Sequence, residues 1–421
     1  MGIIDIIVIY RYKISPRAGR RRSKLRYFDF LSDEDRKKIF IHEPQQIDKD
    51  LDKESLQYAL GATLYIPATK DYIAEDIISN KIKAKSIVIC LEDAIGDSQI
   101  ELAYEGLTKQ LNNIQEAINK EKIQRDKLPL LFIRIRNSDQ ILNIMKKCKS
   151  NLEFIVGFVF PKFSWNNGSD YFEKLKILNN ELNRKFYGMP ILETEDIINM
   201  ESRRDSLNKI NEILNENKDL VLNIRIGATD FSGIFGIRRG YDVTVYDIHV
   251  IRDCITDIIN RFGRSNNNFV ISGPVWEYFF SGDRVLKPKL RVTPFRKNYG
   301  LNGAEIRSKL VDKYIDGLIN EVLIDRANGL IGKTIIHPSH IIPVQSLYVV
   351  THEEYTDALS ILEKNDGNIG VFKSDYSNKM NEIKPHTNWA KRILKRAKIY
   401  GVYNINQDFI SLMKIAVRNQ I

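Results

Sequence analysis

Short apolar, β-branched runs alternate with stretches of helical period over most of this chain. Eight runs predict strands, at residues 62–66, 86–91, 130–135, 154–160, 187–192, 222–226, 269–271 and 333–336. Strands that alternate with helices are typical of a parallel sheet, and eight such units over about 280 residues have the usual size of a TIM barrel. No GxGxxG or Walker loop follows the first run, which disfavours an open doubly wound sheet. The sequence therefore predicts an α/β fold, a (β/α)8 barrel.

Helical periodicity predicts six helices among these runs, at residues 71–82, 100–122, 171–186, 202–217, 245–262 and 305–323. We divide the chain into a basic N-terminal extension (1–56), the barrel (57–350) and a C-terminal helical or lid segment (351–421). In the last segment, Thr351 and Glu354 have the spacing of a capping box ahead of a helix. Residues 365–378, rich in Gly, Asn, Asp and Ser, predict a linker or lid loop, and residues 389–400 predict an amphipathic helix.

The charge balance favours anionic partners. Lysine and arginine outnumber the acidic residues by 64 to 54, which gives a formal net charge of +10, and residues 11–26 hold much of the excess. A basic arm of this kind is typical of proteins that bind nucleic acid or another anionic partner. Elsewhere Lys and Glu are mixed along amphipathic helices and no aromatic RNA-binding signature occurs. A solvated arm is therefore the favoured interpretation, and nucleic-acid binding is the alternative.

The composition is that of a globular protein, with 43% hydrophobic and 28% charged residues. The apolar stretch at residues 3–10 is interrupted by Asp5, is too short to span a bilayer, and precedes no cleavage site. Cys90, Cys148 and Cys254 form neither a CxxC motif nor Cys/His metal spacing, so we expect buried, reduced thiols. These features predict a cytoplasmic protein with no membrane partner.

Acidic residues follow two neighbouring predicted strands: Glu193 follows the run 187–192, and Asp230 follows the run 222–226. Because reaction sites of such barrels lie at the C-terminal ends of the strands, we expect both carboxylates within reach of one ion. Two carboxylates that leave positions for water and substrate oxygens suit Mg²⁺, with Mn²⁺ as an alternative. Such an ion would stabilise the enolate formed when a carbon–carbon bond beside an oxoacid or thioester carbonyl breaks.

Two arginines, Arg134 and Arg136, lie at the end of the run 130–135 and share one face of the strand. A guanidinium binds a carboxylate bidentately, so we predict that both contact the substrate and that Arg134 is also catalytic. Glu92 and Asp93, after the run 86–91, are candidates for a general base or for ordering water. Two alternatives stay open: an ion pair of Arg136 with Glu92 or Asp93, and a helix-capping role for Asp93.

Lys162 follows the run 154–160, and we predict that it contacts the substrate anion. A desolvated lysine at this position could instead form a Schiff base with a carbonyl substrate, which makes a Schiff-base aldolase the runner-up among enzyme hypotheses. His337 and His340 are close in sequence but lack a third ligand, so we favour a structural role for both.

The strand ends together resemble those of the citrate lyase beta subunit and malyl-CoA lyase family, across roughly residues 61–362. The matching segments are Tyr65-Ile66-Pro67, Leu91-Glu92-Asp93-Ala94, Arg134, Pro161-Lys162, Glu193-Thr194, Asp230, and Gly332-Lys333 through His337-Pro338. The resemblance implies a TIM barrel with magnesium-dependent lyase or aldolase activity on a small anionic oxoacid or acyl-thioester substrate. It also implies that Arg134 binds the substrate and that Glu193 and Asp230 bind the metal. We further expect a homo-oligomer.

Three departures from the family pattern bear on the substrate. Cys90 stands where many members have an aspartate, and Thr69-Lys70 replaces the arginine that usually follows the first-strand proline, which leaves Lys70 as a candidate substrate contact. Arg136 replaces an asparagine, which favours a more anionic substrate. The long segment 276–328 and the tail residues 385–389 resemble most the lyase-like branch of tellurium-resistance and stress gene clusters.

Overall fold

The computed structural model describes residues 25–267, 269–279 and 292–419, and in them eight parallel strands form the centre of the fold. The barrel strands are β1 (Ala62–Pro67), β2 (Ser86–Cys90), β3 (Leu130–Arg134), β4 (Ile155–Phe160), β5 (Tyr187–Leu192), β6 (Ile224–Ile226), β7 (Ile271–Ser272) and β8 (Lys333–Ile335). Their order in the sheet is β7-β6-β5-β4-β3-β2-β1-β8. A parallel bridge between Gly273 and Lys333 joins the two ends of the sheet. The predicted (β/α)8 barrel is confirmed.

Helices surround the barrel because each has an apolar face; in the second, Leu107, Leu111 and Ile114 are wholly buried. The main barrel helices are α1 (Ile73–Ile78), α2 (Ile100–Asn119), α3 (Asp139–Cys148), α4 (Gly168–Leu182), α5 (Met200–Glu216), α6 (His249–Phe262), α7 (Lys313–Ala327) and α8 (Ile341–Tyr348). Shorter helices are Glu195–Ile198, Ala228–Ile234, Pro294–Tyr299 and Asn302–Leu310. The C-terminal helices are α9 (His352–Glu363), α10 (Ile383–Tyr400) and α11 (Phe409–Arg418).

The predicted secondary structure is wrong or incomplete in several places, and the six predicted helices do not include α8 or the short helices Glu195–Ile198, Ala228–Ile234 and Pro294–Tyr299. The single helix 305–323 is two helices, because Val311 is extended and the Asp312 side chain accepts hydrogen bonds from the first backbone N–H groups of α7. Helix α3 was not predicted. The predicted loop 365–378 contains the strand Val371–Lys373, which pairs with Met380–Glu382 in a hairpin. The capping box is confirmed, since Thr351 and Glu354 exchange side-chain and backbone hydrogen bonds.

The described part of the N-terminal extension lies at the N-terminal end of the barrel strands, against the C-terminal segment. It contains helices Asp33–Ile39 and Lys53–Tyr58, and a strand, Phe40–His42, that pairs with Val402–Tyr403. Tyr27 and Tyr400 contact each other there, and their hydroxyls donate to the carbonyls of Ala59 and Tyr58. Gly61, with φ of +52°, leaves the space that the Tyr27 hydroxyl fills. The opposite end of the barrel is therefore the one left for a reaction site.

Most of the predicted basic arm, residues 11–26, lies outside the described residues, which begin at residue 25. Of its described end, Arg26 forms an ion pair with Glu43 at 2.9 Å. The three cysteines are buried and unpaired, as predicted. Across the described ranges, we find no helix with both the length and the apolar character that crossing a membrane requires.

A buried charge cluster fixes the strand that closes the barrel. Lys333 in β8 has no exposed surface, and its ammonium contacts Glu321 at 2.9 Å and Asp325 at 2.8 Å, both on α7. Arg239 also pairs with Glu321, and the Tyr246 hydroxyl donates to Asp325. Buried ions are tolerated only when they are mutually paired, so this cluster ties α7 to β8.

Replacement of Lys333 tests this role. Lys333→Met leaves the buried Asp325 carboxylate with the Tyr246 hydroxyl as its side-chain partner among the described residues, and removing one member of a buried ion pair typically costs roughly 3–5 kcal/mol. We expect the free energy of unfolding, measured by urea denaturation, to fall by an amount of that order. Lys120→Met, which removes an exposed ion pair with Glu116, is the control and should leave stability unchanged. Equal stability of both variants would contradict the assignment.

Candidate functional site

A cavity of ≈ 920 Å³ opens at the C-terminal ends of the barrel strands. Its polar lining comes from successive strands and the segments that follow them, namely Tyr65, Cys90, Asp93, Arg134, Glu193, Arg225, Thr229, Asp230 and Thr334. A second cavity, of ≈ 950 Å³, lies near the C-terminal ends of α1 and α2, away from these residues. The first cavity is therefore lined by four of the eight side chains that the sequence predicts as a site, Asp93, Arg134, Glu193 and Asp230, and it lies at the end of the barrel where such sites form.

Glu193 is the most buried acid of the cavity, with 3% of its surface exposed. It follows β5, and its Oε1 accepts a hydrogen bond of 2.8 Å from the backbone N–H of Lys162. Burial, together with the negative charge of Asp230, raises the pKa of Glu193 to about 8, although Arg134 and Lys162 oppose the shift. Glu193 is therefore a buried carboxylate beside a second acid, and the nearby cations do not fully compensate for its burial.

Gly227 makes room for this carboxylate. A Cβ at Gly227 would lie 2.3 Å from Oε2 and 2.4 Å from Cβ of Glu193. The glycine follows β6, and its N–H donates to the carbonyl of Leu192 at 3.0 Å, so the two strand ends are in close backbone contact. A side chain of any size at this position would displace Glu193 from the cavity wall.

The ammonium of Lys162 lies between the two predicted metal ligands. It forms an ion pair with Asp230 and lies 3.7 Å from Oε1 of Glu193. Burial lowers the pKa of Lys162, but the charges of Glu193 and Asp230 outweigh burial and raise it overall. The backbone of Lys162 is left-handed, with φ of +48°, a strained conformation for a non-glycine residue that directs its N–H to Glu193. The two carboxylates thus share a cation, which in this structure is the lysine.

Arg134 contacts three carboxylates. Its Nη2 lies 2.6 Å from Glu92, 2.8 Å from Asp93 and 3.5 Å from Glu193. Burial lowers the pKa of Arg134, but these acids raise it well above its usual value, so the group is a permanent cation. Its Nε has no hydrogen-bond partner among the described residues. Arg134 therefore neutralises the cavity's acids and has one buried donor left for a substrate.

Glu92 and Asp93 have opposite pKa shifts. Burial raises the pKa of Glu92 more than Arg134 lowers it. Burial also raises that of Asp93, but Arg134, the hydrogen bond with Glu92 and Lys162 together lower it overall. Two acids whose surroundings push their pKa values apart are suited to different roles. The alternative helix-capping role of Asp93 does not hold, since the next helical turn is capped by Gly96.

Three predicted substrate contacts, Lys70, Arg136 and Lys162, are not among the residues that line the cavity, although Lys162 contacts two of its acids. Arg136 pairs with Asp97 at 2.6 Å and donates to the carbonyl of Ile95, so the alternative of an ion pair with Glu92 or Asp93 is wrong for Arg136. Lys70 is exposed and lies outside the cavity lining. His340 is wholly buried against the carbonyl of Tyr278, and His337 accepts from the backbone of Ser339, as expected of structural histidines.

Arg225 lines the cavity and was not predicted as a site residue. It lies in β6 between Ile224 and Ile226 and is 1% exposed. The signal in the sequence was a single charged side chain within an otherwise apolar strand, which in a barrel must face either the interior or the helices.

Gly227→Ala tests the close contact with Glu193. The new Cβ would overlap the carboxylate, and overpacking of this kind typically lowers the free energy of unfolding by roughly 1–3 kcal/mol. Gly233→Ala, in the same short helical segment, is the control, because a Cβ there meets nothing within 4 Å and should be neutral or stabilising. Chemical denaturation of both variants provides the comparison, and a fully stable Gly227→Ala protein would refute the contact.

Comparison with known proteins agrees with the fold. A citrate lyase from Burkholderia xenovorans LB400 superposes with a TM-score of 0.56 at 14% identity, over 84% of this chain and 96% of that one. Protein CitE from Mycobacterium tuberculosis, in complex with magnesium, acetoacetate and coenzyme A, gives 0.48 at 17% identity, over 81% and 99%. No curated protein has significant sequence similarity. The family model described as C-C bond lyase of the TIM-barrel fold matches residues 54–402, and the chain belongs to that family of carbon–carbon bond lyases.

Proposed function

We propose that this lyase acts on an anionic oxoacid or acyl-thioester-like substrate with a divalent metal, Mg²⁺ or alternatively Mn²⁺, held by Glu193 and Asp230. The observation that carries the proposal is the position of the Lys162 ammonium, which is paired with both carboxylates at the mouth of the cavity. A site that accommodates one cation between two acids can exchange it for another. From the sequence we also propose that the protein is cytoplasmic and a homo-oligomer.

The residues present fit magnesium. Mg²⁺ is usually bound by one or two carboxylates and completes its shell with water and substrate oxygens. The described part of the chain contains no cluster of three or more His, Cys, Asp and Glu side chains able to hold a metal, so the proposed site has two protein carboxylates. Burial of Glu193 and the charge of Asp230 disfavour ionisation of Glu193, and a divalent cation would relieve that cost.

The chain's own groups have separate roles in this proposal. When bound, the metal supplies Lewis-acid stabilisation of the enolate charge that develops as the carbon–carbon bond breaks. Arg134 holds the substrate carboxylate through its unpaired Nε and stays charged throughout. Glu92, whose pKa burial raises, moves the proton, and Asp93 keeps Arg134 in place through its 2.8 Å contact. Apolar side chains such as Ile66 and Ile226 line the cavity and exclude water.

The Schiff-base alternative requires a lysine whose amine is neutral near pH 7. The acids around Lys162 instead raise its pKa, so that the ammonium persists. The acids around Lys162 therefore favour an electrostatic role for its ammonium, which pairs with Glu193 and Asp230 when no metal is bound. Binding of nucleic acid by the basic arm has no support in the described residues.

Magnesium binding tests the proposal directly. Glu193→Gln and Asp230→Asn each remove one carboxylate, and we expect isothermal titration calorimetry with MgCl₂ to show at least about a tenfold loss of affinity. Lys162→Met removes the competing ammonium and should bind Mg²⁺ as tightly as the unaltered protein or more tightly. Unchanged affinity in both acid variants would exclude them as ligands.

Borohydride trapping separates the two enzyme mechanisms. Incubation with pyruvate or oxaloacetate and sodium borohydride, followed by intact-protein mass spectrometry, should leave the mass of the protein unchanged because Lys162 stays protonated. Lys162→Met serves as the control for adducts at other lysines. An adduct that forms on the unaltered protein and is absent from this variant would establish the Schiff-base mechanism instead.

A further inference from the structure

Arg225 is a buried cation without a buried acid. Its Nη2 donates to the hydroxyl of Thr334 at 2.8 Å, and its Nη1 lies 3.9 Å from the sulfur of Met189. Its Nε has no partner, and its guanidinium lies 5.5 Å from the ring centroid of Tyr65. Arg225 lines the cavity and only 1% of its surface is exposed to solvent. Among the described residues, no carboxylate forms an ion pair with it.

Comparison with Arg134 makes the imbalance clear. Arg134 shares the cavity and is neutralised by three acids, whereas the charged neighbour of Arg225 is Arg134 itself. Burial lowers the pKa of Arg225, and the charge of Arg134 lowers it further. A buried ion without a counter-ion is strongly unfavourable, and such costs persist where a ligand supplies the missing charge.

The position of Arg225 separates it from the proposed metal ligands. In the sheet register Arg225 pairs with Ile191, which is two residues before Glu193. The backbone of Arg225 therefore lies about 6–7 Å deeper in the barrel than that of Glu193. An anion bound to the guanidinium of Arg225 would therefore lie deeper in the barrel than the substrate atoms that face the proposed metal. A short chain of carbon atoms can connect the two positions.

We propose that Arg225 binds a second anionic group of the substrate, so that the substrate is an oxoacid with a further carboxylate or phosphoryl-type group at its distal end. This inference rests on the proposed function for the orientation of the substrate, but the binding of the distal anion is measured separately. Arg225 would donate its free Nε–H and an Nη–H to that group as a bidentate pair. Thr334 fixes the guanidinium plane through the 2.8 Å hydrogen bond.

Three probe compounds have the same 2-oxoacid group and differ at the distal end. Pyruvate has no second anionic group, oxaloacetate has a carboxylate there, and phosphonopyruvate has a phosphonate. Calorimetry in the presence of Mg²⁺ should show that the full chain binds at least one of the two dianions roughly tenfold or more tightly than pyruvate, the size expected for charge-assisted hydrogen bonds. The preferred dianion identifies the distal group. Absence of any preference over pyruvate would overturn the proposal.

Arg225→Met should remove the preference and leave pyruvate affinity and Mg²⁺ affinity unchanged. Because it removes an unpaired buried charge, it should melt at the same temperature as the unaltered protein or higher, whereas a purely structural arginine would lower the melting temperature. Arg225→Lys keeps the positive charge and should retain part of the preference for dianions. It replaces Arg225→Met as the test if the methionine variant does not fold. Arg252→Met, on the exposed face of α6, is the matched control.

The two proposals fail in different ways. Loss of the dianion preference in Arg225→Met, in a protein that binds no Mg²⁺ at Glu193 and Asp230, would support the distal site and reject the metal function. Intact Mg²⁺ binding with a dianion preference that survives in both Arg225 variants would reject the distal site alone.

Discussion

Burial of the Glu193 carboxylate is the constraint on which the rest of the site depends. An ionised acid with 3% exposure beside a second acid is stable only if positive charge is brought to it. The chain brings Arg134 at 3.5 Å and Lys162 at 3.7 Å, and even so the pKa of Glu193 is about 8. The site therefore retains an affinity for further positive charge, which is the physical basis of metal binding in our account.

The barrel supplies the geometry for this charge balance. Parallel strands end at one rim, so residues distant in sequence converge there, and Gly227 lets β6 approach Glu193 without a side chain between them. Both extensions pack at the other end, where Tyr27 and Tyr400 meet. The Lys333 cluster and the described parts of the two extensions pack away from the site, while the site itself contains a strained Lys162 at the rim and, deeper in the barrel, the unpaired charge of Arg225.

The sequence predicted the barrel because its periodicity is a property of single elements, and it predicted the acids at the rim because they directly follow strands. It missed features that depend on contacts between elements. The ammonium of Lys162 between Glu193 and Asp230 follows from a left-handed backbone that no sequence pattern specifies. Arg136 forms an ion pair with Asp97 and Arg225 lines the cavity, because closure of the barrel determines which face of each strand points inward. Metal-ligand and catalytic roles remain predictions, whereas the placement of the residues is established.

Diffraction from crystals grown with manganese tests the central claim most directly, because the anomalous signal of Mn²⁺ locates the ion without assumptions about the reaction. The account predicts an anomalous peak in contact with carboxylate oxygens of both Glu193 and Asp230, with the ammonium of Lys162 displaced from between them. A peak elsewhere, or none, with Lys162 still paired to both acids at saturating manganese, would contradict it.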